Sequence, residues 1–146
     1  WGIYQHSLGH EDDIMTTFGA IGIAGTGMTV NRKWLDCISD NIANINTTKP
    51  MDEEAFRARY VVAQAVDYGR PAGTMVSGIA LGGTDGRIVY DPRDPNANEE
   101  GYVRHPDIDL GSQMTQLIMA QRAYQANAAV VDRAKSTYES ALQIGR

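Results

Sequence analysis

From about Asp109 to Ile144 apolar residues return at alternating steps of four and three; no Pro interrupts the run, and residues 112–144 contain no Gly. Read as Leu110, Met114, Leu117, Gln121, Tyr124, Ala128, Val131, Lys135, Tyr138 and Leu142, the series is apolar at eight of ten positions. That spacing predicts one long helix with an apolar edge. At 1.5 Å per residue it is roughly 50 Å long, more than the diameter of a compact domain of this size. Such an edge requires a partner along its whole length. The same spacing recurs near the other end, at Ile21, Ala24, Met28, Asn31, Leu35, Ile38, Ile42 and Ile45, apolar at seven of eight positions.

Two terminal helices of one period, separated by some sixty residues without it, predict a mainly α fold with a small β insertion. In it the N- and C-terminal helices pair as a coiled-coil hairpin and carry a β-rich middle module. The alternative is two core helices of a small globule. The expected organisation is a leader over residues 1–14, paired terminal helices over 15–50 and 107–146, and a β-rich module over 51–106. The leader is polar, with His6 and His10, ends in Glu11-Asp12-Asp13 and precedes Met15. It has no basic and apolar regions of a signal peptide, and reads either as an extension that the parent gene does not need or as a disordered lead-in.

The 146 residues fit one domain or two very small ones, and much of the 42% hydrophobic content is Ala. Aromatics supply only 8% and Phe occurs twice, so a large private core is not expected. A net charge of −5, with no cluster of Lys or Arg, argues against nucleic acid and anionic membrane as partners. No apolar run approaches the ~20 residues of a membrane span. The single cysteine, Cys37, excludes an internal disulfide framework and a cysteine-based zinc site, and reads as a small packing residue.

Between Phe18 and Met28 stand Gly19, Gly22, Gly25 and Gly27, which together cost a helix about 4 kcal/mol relative to alanine. Gly19, Gly22 and Gly25, at steps of three, mark a side where another backbone could approach closely. A nucleotide fingerprint at Gly22–Gly27 is the enzymatic alternative. The order of the glycines departs from the dinucleotide pattern, and no convincing strand precedes it.

Asn41 and Asn44 share a face beside the apolar series, where a polar amide fixes register at some cost in stability. Asn44 or Asn46 also suits the end of the helix, with Pro50 barring continuation. In the middle, Phe56–Ala63 reads as a strand, Asp67–Gly73 as a loop and Met75–Leu81 as a second strand. Gly82–Gly86 is expected to turn that strand into Arg87–Tyr90 as a hairpin, and Asp91–Gly101, with Pro92 and Pro95, is a polar loop before Tyr102-Val103. His105 with Asp107 and Asp109 invites acid–base or metal chemistry, but no nucleophile is placed beside them. Asp107 or Asp109 suits the N-cap of the long helix better. No catalytic residue, cofactor or metal site is expected; the acidic loop lacks the EF-hand spacing.

Asn41-Ile42-Ala43-Asn44, within Leu35–Thr48, matches the Asn-aliphatic-Ala-Asn centre of bacterial flagellar rod and hook proteins. Arg122-Ala123-Tyr124-Gln125-Ala126-Asn127 matches the Arg-Ala-Tyr-x-Ala-Asn motif near the C-terminus of those proteins. With Tyr90-Asp91-Pro92 and Glu99–Val103 between them, residues 16–146 resemble the flagellar axial family, and its proximal-rod members most. The resemblance implies a structural subunit, not an enzyme, whose terminal helices pack into a tubular wall around an export channel in the basal body. It implies other rod proteins and further copies as partners, and passage through the flagellar export apparatus without a cleaved signal peptide. On that basis Leu35, Ile38, Ile42, Leu117, Tyr124, Val131 and Tyr138 are expected at the hairpin or subunit interface, with Asn41, Asn44, Arg122 and Asn127 setting register. A soluble coiled-coil adaptor of the cytoplasm is the alternative from a different class.

Overall fold

The structure is a computed structural model that describes the backbone of residues 4–145 and the side chains of residues 18–145. Two long helices, α1 (Tyr4–Ala43) and α2 (Leu110–Ile144), run antiparallel side by side. Their direction is fixed by contacts that step in opposite senses: Phe18 meets Tyr138, Gly27 meets Asn127, and Trp34 donates to Gln116. The expected break between a leader and the first helix falls within residues 4–17, where the backbone is helical and the side chains lie outside the described residues.

Four strands lie between the helices: β1 (Arg59–Asp67), β2 (Pro71–Leu81), β3 (Arg87–Tyr90) and β4 (Tyr102–His105). The expected hairpin between β2 and β3 does not form. β1 pairs with β2, β3 pairs with β4, and the two pairs are separate antiparallel sheets. The reason lies in the 82–86 connection, whose polar groups are taken by other segments. The Gly82 N–H donates to the Ala58 carbonyl, the Ala55 N–H to the Thr84 carbonyl, and the Arg104 guanidinium to the Asp85 carbonyl. These bonds carry the chain out of one sheet into the other. The proline-bearing stretch 91–101 is then the hairpin connection of β3–β4, closed by the Asp91 N–H on the Gly101 carbonyl. Gly101, at φ 89°, lies under the ring of Tyr90, which stacks edge-on against Tyr102 at 5.4 Å.

Among the described residues the buried apolar side chains are few and mostly small: Ala24, Cys37, Ile38, Ala55, Ala58, Val103, Pro106, Ile108 and Ala120. Val103 and Ile108 centre the β3–β4 end, where Lys49 and Arg104 exchange backbone hydrogen bonds and draw the segment after α1 onto β4. Among the described residues Ile38 is the largest buried apolar side chain of the helix pair. The β1–β2 ribbon lies along α1, its outer end at Thr26 and its base at Asn41. Those anchors are roughly 22 Å apart on a helix, which matches about seven residues of strand, so the ribbon follows the helix axis.

Candidate assembly interface

Asp109 caps α2: its carboxylate accepts the Ser112 N–H at 2.8 Å, removing one orphan donor of the first turn. From there the residues turned toward α1 are Gln113, Leu117, Ala120, Tyr124, Asn127, Val131, Ala134, Tyr138 and Ala141, buried or half-buried at steps of four and three. Half of the expected series is therefore displaced. Leu117, Tyr124, Val131 and Tyr138 lie in this seam, whereas Leu110, Met114, Gln121, Lys135 and Leu142 are exposed. The physical cause is close approach. Positions between the larger seam residues carry Ala or an amide, and these let the helices come nearer than Leu or Met would allow.

Gly27 shows that approach directly. A methyl group there would lie 2.7 Å from Nδ2 of Asn127. The glycines expected to admit another backbone, Gly19, Gly22 and Gly25, have no atom within 4 Å of where a Cβ would stand. Among the described residues Gly27, outside that series of three, meets a neighbour, and it is a side chain of α2 rather than the expected backbone. The stretch Gly22–Gly27 is inside α1, so no strand-to-helix phosphate loop exists there.

Asn41 joins three elements. Its Oδ1 accepts the Arg59 N–H at 2.8 Å, and its Nδ2 donates to the Arg59 carbonyl at 2.9 Å and to Oε1 of Gln113 at 3.1 Å. Both amides are almost wholly buried. Asn44 instead finishes α1: its Nδ2 donates to the Asp40 carbonyl and its Oδ1 accepts the Thr47 hydroxyl. Of the remaining residues singled out in the sequence, Ile38 is buried, Leu35, Ile42 and Asn127 are half-buried, and Arg122 is exposed. Gln113 was not singled out. As a polar residue in an apolar helix it gave no sign in the sequence of standing opposite Asn41.

Cys37 sits beneath the ribbon at the floor of a cleft of about 320 Å³, beside Lys33, Asp36, Asp40, Arg59, Ile79 and Leu81. Burial pushes its thiol above the usual 9.0, against the opposing pull of Lys33. Cys37 is therefore a neutral packing group at physiological pH, and its contribution is present below the unfolded value and lost as pH rises through the folded one. An aromatic disulfide reagent is expected to react with the folded chain about tenfold or more slowly than with the unfolded chain near neutral pH. Equal rates would show that the site opens freely.

On its other flank α2 presents large apolar side chains to solvent. Leu110, Met114 and Ile118 follow one another at steps of four, each about half exposed. No helix among the described residues is long and apolar enough to cross a membrane.

The family model "Flagella basal body rod protein" matches residues 21–50, and "Flagellar basal body rod FlgEFG protein C-terminal" matches residues 99–144. The flagellar basal-body rod protein FlgC of Borreliella burgdorferi is 32% identical over 149 aligned residues, covering 89% of this chain and 98% of the relative. The chain belongs to the FlgC family of flagellar basal-body rod proteins. FlgC of Bacillus subtilis and FlgC of Salmonella typhimurium are each 30% identical, covering 90% of this chain and all of the relative. In this FlgC-family chain the two matched segments are the ones that the fold lays side by side. The Asn41–Gln113 hydrogen bond links one to the other.

Proposed function

We infer that this chain is a structural subunit of the flagellar basal-body rod, assembling through its terminal helices with copies of itself and other rod proteins into a tubular wall around the export channel. The observation that carries this reading is the division of labour on α2. Small residues and amides alternate with Leu117, Tyr124, Val131 and Tyr138 in the internal seam, and the large apolar residues Leu110, Met114, Ile118 and Leu142 are left outside. A chain that buries so little of its own apolar surface gains most by burying it against neighbours. Covering the exposed half of each such side chain contributes about 1 kcal/mol. Repeated along a helix of 35 residues and around a ring of subunits, that suffices for a cooperative wall.

The ribbon and the β3–β4 hairpin then form the outward part, and Arg122, exposed on α2, is available to a neighbouring subunit rather than to the internal seam. Passage through the flagellar export apparatus suits a helix pair with a glycine-rich first helix and a small core. A strain lacking this chain is expected to build no rod and to secrete neither hook nor filament; the parent sequence restores both, and Tyr124→Ala restores neither. An intact rod in the deletion strain would remove the chain from the structure. Full restoration by Tyr124→Ala would show that the hairpin seam tolerates the loss of that ring and that assembly does not depend on it.

A further inference from the structure

We propose that Gln113 of α2 is a positioning residue that makes docking of the β1–β2 ribbon compatible with closure of the helix hairpin, acting through the side-chain amide of Asn41. Asn41 treats Arg59 as a neighbouring strand would: it takes the N–H and returns an N–H to the carbonyl of the same residue. Helix α1 thus supplies, from a side chain, the partner that the first residue of β1 lacks on its outer edge. The arrangement uses one N–H of the amide, and the ribbon and α2 together cover the other, leaving Asn41 only 1% exposed.

That second N–H decides the coupling. With α2 in place it donates to Oε1 of Gln113, itself 3% exposed, and every donor of the amide is satisfied. With α2 closed but no acceptor at position 113, docking the ribbon leaves a buried donor without a partner. Such an orphan costs enough to favour the undocked state about tenfold or more, since undocking returns the amide to water. The ribbon therefore settles at its base on a closed hairpin only where position 113 supplies the acceptor.

A second anchor lies at the outer end, where the Thr74 N–H donates to the Thr26 hydroxyl and Gly73, at φ 110°, lets the strand pass close to that side chain. Thr26 belongs to α1 alone and its acceptor does not depend on α2. The two ends of the ribbon should thus respond differently to a change on α2. This coupling stands independently of rod assembly, because all its groups belong to one chain.

The test is amide hydrogen exchange on the full chain, read at Arg59, Thr74 and the helix amides of Ile38 and Ala120. Gln113→Met keeps length and helix propensity and removes the acceptor. It is expected to speed exchange at Arg59 about tenfold, with Ile38 and Ala120 unchanged within about twofold. Thr26→Val is expected to speed Thr74 and spare Arg59. The proposal is overturned if Arg59 is unprotected in the parent chain, if Gln113→Met leaves Arg59 unchanged, or if that variant loosens Ile38 and Ala120 as much as Arg59. It is equally overturned if Thr26→Val and Gln113→Met act alike on Arg59.

Discussion

Gly86→Ala is expected to cost about 3 kcal/mol or more and to disrupt the β3–β4 end of the molecule, whereas Gly83→Ala, three residues away in the same connection, should change stability by less than about 0.5 kcal/mol. The difference does not come from exposure or sequence context. Gly86 has φ 60°, and a Cβ there would collide with the backbone carbonyl of His105 and stand 2.6 Å from the methyl of Ala55. The carbonyl belongs to the residue paired with Arg87 in the β3–β4 register, so it cannot move without breaking that pair. The left-handed conformation alone costs an alanine about 1 kcal/mol, and displaced backbone supplies the rest. At Gly83 the φ is ordinary and no atom lies within 4 Å. Denaturant melts give the two costs, and near-ultraviolet circular dichroism of the Tyr90–Tyr102 pair shows whether this end is the part that loosens. Coincident melts for the two variants would mean that the connection is not held as described.

Gly86 also illustrates what the sequence disclosed and what it withheld. Gly82–Gly86 reads as a turn, and a turn it is, yet sequence alone does not tell which strands it serves. The bonds that reassign it come from Ala55, Arg57, Ala58 and Arg104, distant in sequence and without periodic pattern. The long helices were legible because period is a local property: steps of three and four survive whatever the helices meet. Which side of α2 would face inward was only half legible. Leu110, Met114 and Leu142 belong to the apolar pattern as fully as Leu117, Tyr124 and Tyr138, but closeness of packing turns inward, between the latter, the small residues Ala120 and Ala134 and the amides Gln113 and Asn127. A chain whose burial is shared with neighbours breaks the usual equation of apolar with inside. Asn41 was legible as a register-setting amide from its place beside the apolar series. Its partner Gln113 was not, since nothing in a sequence marks one glutamine among several as the acceptor for a buried amide.

The same distinction between inside and outside yields the other large effect. Ile38→Ala is expected to destabilise the free chain by about 3 kcal/mol, and Met114→Ser to leave it within about 0.5 kcal/mol while preventing incorporation into rods. Ile38 is 1% exposed, and among the described residues no larger apolar side chain is buried between the helices, so its removal leaves a cavity that little nearby can refill. With a total stability of the order of 5–15 kcal/mol for a domain, that is a substantial fraction. Met114 is 45% exposed and lies on the outer flank between Leu110 and Ile118, one turn away on either side. Its truncation costs the isolated molecule little and, in the proposed assembly, deprives each intersubunit contact of an apolar side chain in every copy, so a modest loss per contact is multiplied around the wall. Equilibrium melts of the purified chains and recovery of rods from cells carrying each variant separate the two effects. Should Met114→Ser assemble normally while Ile38→Ala fails only because it is unstable, the outer flank of α2 would be solvent surface in the rod, and the packing surface would have to be sought on the ribbon.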